Sequence, residues 1–222
     1  MNKGKVIFCW SGGKDSALAL HEIRQQGFEV AALITTVTQG YERVSIHGVR
    51  DVLLDAQAHS IGIALEKVYI PQNSSNSDYE SAMEKLLNRW YDRGVAKVVF
   101  GDIFLEDLRQ YREKNLARAG METIFPLWKQ DSAVLGRRFI DQGFKAIITC
   151  VDTLALPASF CGRYYDASFL ADLPASVDPC GENGEFHSFV FDGPIFKKSV
   201  PFKVGECVLR DNRFQYCDLL ER

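Results

Sequence analysis

The stretch Phe8-Cys9-Trp10-Ser11-Gly12-Gly13-Lys14-Asp15-Ser16 constrains this chain more than any other. An apolar run, Val6 to Trp10, breaks into a glycine turn, and a helix-like segment, Ala17 to Arg24, follows at once. Strand, glycine turn and helix in direct succession are how an α/β protein builds an anion site. Gly12 and Gly13 lack a Cβ, so both are expected to allow positive φ and close approach of a ligand. The N–H groups that open the helix have no acceptor inside it, and the helix dipole favours negative charge there. Lys14 adds a mobile point charge, and Ser11 and Ser16 add hydroxyl donors. Asp15 either caps the helix or holds a metal through water; capping is the commoner role for an aspartate there. Two better-known phosphate loops are excluded. The glycine that a Walker A loop needs five residues before Gly13 is Phe8 here, and no G-x-G-x-x-G occurs in the turn.

The rest of the chain alternates in the same grammar. Apolar runs at Val6–Trp10, Val30–Val37, Ala64–Ile70, Lys97–Phe100 and Glu122–Phe125 are separated by segments of helical period. This predicts right-handed crossovers and a Rossmann-like five-stranded parallel sheet. After Trp128 the pattern becomes loop-rich. Pro174, Pro179, Gly181, Gly184, Gly193, Pro194 and Pro201 crowd one section, and Arg210-Asp211-Asn212-Arg213 reads as a hairpin turn. The expected organisation is a larger α/β domain over residues 1–125 and a smaller C-terminal α+β domain over residues 126–222. A net charge of −3 gives no general attraction to nucleic acid or to a membrane surface. No apolar run is long enough to span a bilayer, and no secretory leader is expected. The six cysteines lack any C-x-x-C and read as reduced, buried thiols of a cytoplasmic protein.

Ligands of an open α/β sheet collect at the carboxyl ends of its strands. Thr35, Thr36 and the loop 39–47, with His47, are therefore expected beside the cradle. Asp102, just past the fourth run, has two readings: a metal or substrate contact, or a loop cap. Arg109 and Arg112 share a helical face, with Arg112 the better match to plain solvation. Glu182 and Glu185 bracket Gly184 beside His187; a pair of carboxylates there suits general base work, an ammonium or a metal, against the alternative of a solvated acidic turn. His187 shares strand parity with Phe189 and Phe191, which also suits a structural histidine.

Residues 11–16, Ser-Gly-Gly-Lys-Asp-Ser, are similar to the pyrophosphate (PP) loop of ATP pyrophosphatases, which cleave ATP between its α and β phosphates. Asp178-Pro179-Cys180-Gly181-Glu182-Asn183-Gly184-Glu185-Phe186-His187-Ser188 resembles the G-E-x-G-E-[YF]-[EH]-[TS] segment of the diphthine–ammonia ligase family. Gly101-Asp102-Ile103 with Arg109, and Pro126-Leu127-Trp128, resemble further elements of that family. Asn183 stands where its tighter form has glycine.

The resemblance implies an adenine nucleotide α-hydrolase type of sheet domain that uses ATP and Mg²⁺. It implies that a carboxylate is adenylated, with release of pyrophosphate, and then amidated by ammonia with release of AMP. In the family's best-known members the carboxylate belongs to diphthine, on a translation elongation factor. By the same resemblance Lys14, Asp15, Asp102, Glu182 and Glu185 are expected to be catalytic, with Asp15 and Asp102 as candidate Mg²⁺ ligands. Ser11 to Ser16, Leu33 and Thr35 are expected on ATP, and His47, Arg109, Gly181, Gly184 and His187 on the acceptor. A homodimer is compatible with it. The competing expectations are an adenylating enzyme that thiolates tRNA, which usually brings paired reactive cysteines, and a sensor that holds ATP or AMP without chemistry.

Overall fold

Alternation within the first strand builds two cores at once. In the computed structural model, which describes residues 3–40, 43–44, 48–71 and 76–222, β1 (Lys5–Cys9) is buried on both faces. Val6, Phe8 and the following Trp10 enter one apolar cluster, and Ile7 enters the other, as period two requires. The same division repeats on β2 (Glu29–Thr38), where Leu33 faces the first cluster and Ala32 and Ile34 the second.

The elements follow as α1 (Lys14–Gln25), β2, β3 (Arg43–Val44), α2 (Asp51–Ile61), β4 (Leu65–Ile70), α3 (Asn76–Asp92), β5 (Lys97–Val99), α4 (Glu106–Arg118) and β6 (Glu122–Ile124). Register pairs place the parallel strands in the order β4-β2-β1-β5-β6. The five expected parallel strands are therefore present. Beyond them, β3 pairs antiparallel with the tip of β2, at Val37 and Thr38. The chain reverses its direction of travel across the sheet between β1 and β5. That switch point leaves a crevice at their carboxyl ends, where residues 10–16 and 100–103 lie.

The remaining chain forms α5 (Ser132–Asp141), β7 (Lys145–Asp152), α6 (Ala167–Asp172), β8 (Phe186–Asp192), β9 (Phe202–Arg210) and β10 (Phe214–Glu221). Asp131 and Asp166 cap α5 and α6 by accepting from the N–H groups of Val134 and Phe169. The strands make an antiparallel sheet in the order β8-β7-β10-β9, and Asp211 and Asn212 close the predicted hairpin with φ of 52° and 49°. This second sheet shares a core with the first: Phe186, Phe189 and Ile147 belong to the same cluster as Phe8, Leu20 and Leu54. Asp218 of β10 reaches Arg50 at 2.7 Å and Arg43 at 2.9 Å, which ties the second sheet to the β2 side of the first.

Candidate active site

The crevice at the switch point is a cavity of about 670 Å³. The glycine loop lines one side, the segment Gly181–Ser188 another, and Thr35, Thr36, Asp102 and Arg112 are among the polar residues of the remaining wall. Gly12 takes φ +80°, and a Cβ there would stand 2.9 Å from Gln57 Oε1. Gly13 is extended at φ −89°, so the expected positive φ occurs at Gly12 alone. Gly101 also lines the cavity, and a Cβ on it would meet backbone atoms of Asp15 and Ser16 at 3.1 Å. Glycine is thus needed there for the end of β5 to approach the start of α1.

The loop is held from outside. Gln57, fully buried on α2, accepts from Trp10 Nε1 at 2.9 Å and donates to the Gly12 carbonyl at 3.0 Å and the Val190 carbonyl at 2.6 Å. Val190 N–H donates to the Gly12 carbonyl at 2.9 Å. Lys14 N–H donates to Ser188 Oγ at 3.2 Å. Inside the loop Ser11 Oγ donates to Ser16 Oγ, and Ser16 Oγ donates to the Gly13 carbonyl. Gln57, Gly101 and Ser188 were absent from the expected site. Leu54, Gln57 and Ile61 share one face of α2, so a glutamine in an apolar stripe was the available signal for the first.

Lys14 is not a mobile charge in this state. It is 4 % exposed, with Nζ at 2.8 and 3.0 Å from the two carboxylate oxygens of Asp15. Nζ also donates to the Cys180 carbonyl and lies 5.3 Å from the Phe186 ring centre and 5.8 Å from that of Tyr165. Burial is the largest single influence and works against its charge, but the Asp15 carboxylate, together with Cys180 and Glu182, outweighs burial and holds Lys14 above its ordinary pKa. Asp15 therefore does not cap α1; no side chain does.

The two glutamates of the turn diverge. Glu182 lines the cavity and accepts from Ile103 N–H at 2.7 Å. Burial pushes its carboxyl up to about 7, against the opposing pull of the Ile103 N–H, with the nearby Asp15 charge adding to the rise. Glu185 is 7 % exposed and faces inward. It accepts from Asp178 N–H, Asn183 N–H and Asn183 Nδ2 at 3.0–3.1 Å. The expected carboxylate pair on one ligand does not form, because Glu185 is consumed in closing its own turn. Gly181 and Gly184 supply that turn's positive φ of 66° and 89°. His187 lines the cavity, half-buried.

The arginines exchange the roles expected of them. Arg112 lines the cavity, pairs with Asp102 at 2.8 Å and stacks 4.3 Å above Phe100. Arg109 lies off the cavity, 2.6 Å from Glu113 and 4.6 Å above the Trp128 ring. Asp102 is thus a partner of Arg112 at the cavity wall. Thr35 is 3 % exposed, lines the cavity, and its Oγ1 has no hydrogen-bond partner. A buried orphan hydroxyl beside a phosphate cradle suits a nucleotide. Leu33 does not line the cavity, and its N–H is taken by the Ala64 carbonyl at 2.9 Å. The lining thiol Cys9 is pushed by burial to about 12, which makes it a poor nucleophile. His47 lies outside the described residues.

A parallel sheet reversing at a glycine loop, with that loop opening a helix onto a polar cavity, defines an α/β nucleotide-binding protein. Family models carry the identification further. The diphthamide synthase N-terminal domain matches residues 4–123 and the diphthamide synthase C-terminal domain matches residues 131–218, so the chain belongs to the diphthamide synthase family. It is 26 % identical to a diphthine–ammonia ligase of Danio rerio, over 94 % of this chain and 90 % of that one. The human diphthine–ammonia ligase is also 26 % identical, over 92 % and 85 % of the two chains. The Schizosaccharomyces pombe enzyme is 25 % identical over 92 % of this chain, which spans 37 % of that longer protein. Among solved structures, a predicted subunit of tRNA methyltransferase from Methanocaldococcus jannaschii superimposes with a TM-score of 0.44 at 16 % identity, covering 65 % of this chain and 80 % of that one.

Proposed function

We propose that the protein is an ATP-dependent ligase that adenylates a carboxylate and amidates it with ammonia. A carboxylate oxygen attacks the α-phosphorus of ATP, and the bond from that phosphorus to the bridging oxygen breaks. Pyrophosphate leaves, and its new charge is met by Lys14, the hydroxyls of Ser11 and Ser16, and the N–H groups that open α1. Ammonia then attacks the acyl carbon of the mixed anhydride. The carbon–oxygen bond to AMP breaks, and the surplus proton passes from nitrogen to a base. Glu182, which titrates near neutrality and lines the cavity, suits that base.

Residues 1–125 are read as the ATP-binding part and 126–222 as the part that completes the acceptor side, through Gly181, Glu182, Gly184 and His187. Thr35 suits the nucleoside, and Arg112 replaces Arg109 as the cation beside the acceptor. Mg²⁺ is expected to arrive with the triphosphate, where it neutralises phosphate charge. No cluster of three acidic, histidine or cysteine ligands occurs among the described residues. Asp102 is the protein carboxylate suited to Mg²⁺, since Asp15 is engaged by Lys14. The acceptor is read as diphthine on an elongation factor and the location as cytoplasmic. No helix among the described residues is long and apolar enough to cross a membrane. A homodimer would be detected by sedimentation.

The observation that carries this reading is the union of the loop with the Gly181–Ser188 segment in one cavity, through Lys14, Ser188 and Glu182. Incubation with ATP, Mg²⁺, ammonium and diphthine-bearing elongation factor should release AMP and pyrophosphate in step with amide. Release of ADP and inorganic phosphate would exclude it.

A further inference from the structure

We propose that the enclosure now holding the Lys14 ammonium is the binding site for the ammonium ion that ligation consumes, vacated when ATP draws Lys14 onto its phosphates. The inference rests on the ligase reading above. The enclosure consists of the Asp15 carboxylate, the Cys180 carbonyl and the faces of Phe186 and Tyr165. An anionic oxygen pair, a carbonyl and two π faces form a donor set for a small, hard cation with N–H groups to spend. None of the four attracts an anion. The Tyr165 hydroxyl is turned away, donating to the Pro179 carbonyl at 2.8 Å, so the ring presents its face.

The tip of a lysine and an ammonium ion carry the same head: a tetrahedral nitrogen, one positive charge, and N–H donors. The enclosure accepts the first with its charge intact, as the upward shift of Lys14 in a buried place indicates. Lys14 cannot serve a leaving pyrophosphate while both Asp15 oxygens and the Cys180 carbonyl hold its donors. Burial already raises the Asp15 carboxyl, so the transfer of Lys14 to phosphate leaves that group to take up either a proton or another cation. The surrounding charges support a cation. Glu182 and Asp178 both act on the Lys14–Asp15 pair. The carboxylate of Asp178 is held in place by the N–H groups of Cys180 and Glu182 and by Ser132 Oγ. The nitrogen would then stand beside Glu182 and the loop, where the acyl-adenylate forms; the ammonium would pass one proton to the Asp15 carboxylate and attack as ammonia, and Glu182 would take the second proton after the attack. Filling the enclosure only after nucleotide arrives also orders the reaction, since ammonium and ATP would each tighten the other's binding by the same factor.

The test needs no acceptor. The affinity of α,β-methylene-ATP with Mg²⁺ is measured by calorimetry in ammonium chloride and in tetramethylammonium chloride of equal ionic strength. Ammonium should tighten the analogue roughly fivefold or more; the bulky ion should not. Phe186→Leu, which removes one ring face, and Asp15→Asn, which removes the charge at constant size, should each reduce that gain to less than about twofold. If Phe186→Leu fails to fold, Asp15→Asn decides. Analogue binding with no ammonium gain, or an equal gain with potassium, overturns the nitrogen site and leaves the ligase reading standing. An analogue that does not bind under any of these salts overturns both.

Discussion

The loop at residues 11–16 and the turn at residues 178–188 are both glycine bends facing one cavity, yet they are built in opposite ways. The loop presents donors, so few of its own groups can satisfy one another. It is fixed by neighbours: Gln57 from α2, and Ser188 and Val190 from β8. The turn is fixed mainly by itself, with Ser132 and Tyr165 adding one bond each to Asp178 and Pro179. Asp178 accepts from Cys180 and Glu182 N–H groups, and Glu185 accepts from Asp178 and Asn183. With its inward carboxylates satisfied, the turn leaves a carbonyl and Glu182 to face the loop. One bend attracts anions and is held from outside; the other attracts cations and is held from within. A ligase that handles a triphosphate and an ammonium ion needs both polarities within one cavity.

The comparison breaks first at Lys14, a loop side chain bonded to the carbonyl of the turn's Cys180. Lys14→Ala should lower the rate of pyrophosphate release by about 10²–10³-fold, the scale for losing a donor aimed at developing charge. Turnover close to that of the unaltered enzyme would remove the loop from the chemistry. Next is the turn's internal wiring. Glu185→Ala leaves three N–H donors without their acceptor and should cost on the order of 3 kcal/mol in chemical denaturation. Glu185→Gln, which keeps an acceptor oxygen, should cost less than half of that. Equal losses would mean that charge, not turn geometry, is what Glu185 supplies.

The loop's external support comes third. Gln57→Leu preserves apolar volume but strips acceptor or donor from Trp10 Nε1 and the Gly12 and Val190 carbonyls. About 2 kcal/mol should be lost, together with a weaker affinity for the ATP analogue, because Gly12 would be left with the Val190 N–H alone to hold it to β8. A stability loss with unchanged analogue affinity would show that the loop holds its shape unaided.

How far each bend was legible in the sequence follows from the same contrast. The loop's residues are contiguous, and strand–turn–helix is a local pattern, so the cradle and the five parallel strands could be read directly. What holds the loop could not. Gln57 lies 45 residues from Gly12, and Ser188 lies 174 from Lys14, so no spacing rule connects them. Glu182 and Glu185 look equivalent on paper, two acids around one glycine. Only the path of the turn sends one to Ile103 and the other back to Asp178. Arg109 and Arg112 likewise differ by less than one helical turn, and the nearest partner decided: Asp102 and Phe100 for one, Glu113 and Trp128 for the other.

The smallest predicted effect sharpens the comparison instead of breaking it, because it separates the bends by proton uptake. Glu182 titrates at about 7 in the folded chain, against an ordinary value of 4.5. Burial is the main cause, and the negative charges of Asp15 and Asp102 add to it. A carboxyl raised on folding binds its proton more tightly in the native state. Its contribution to stability is therefore complete below pH 4.5 and is lost as pH climbs through 7. Glu182→Gln has no proton to lose. The stability of this variant relative to the native chain should rise across that interval and level off above it. Denaturation curves collected at half-unit pH steps measure the difference directly. A difference that stays flat with pH would mean that Glu182 is ionised throughout, solvated like a surface acid. The turn would then lack the near-neutral base that accepts the proton in aminolysis.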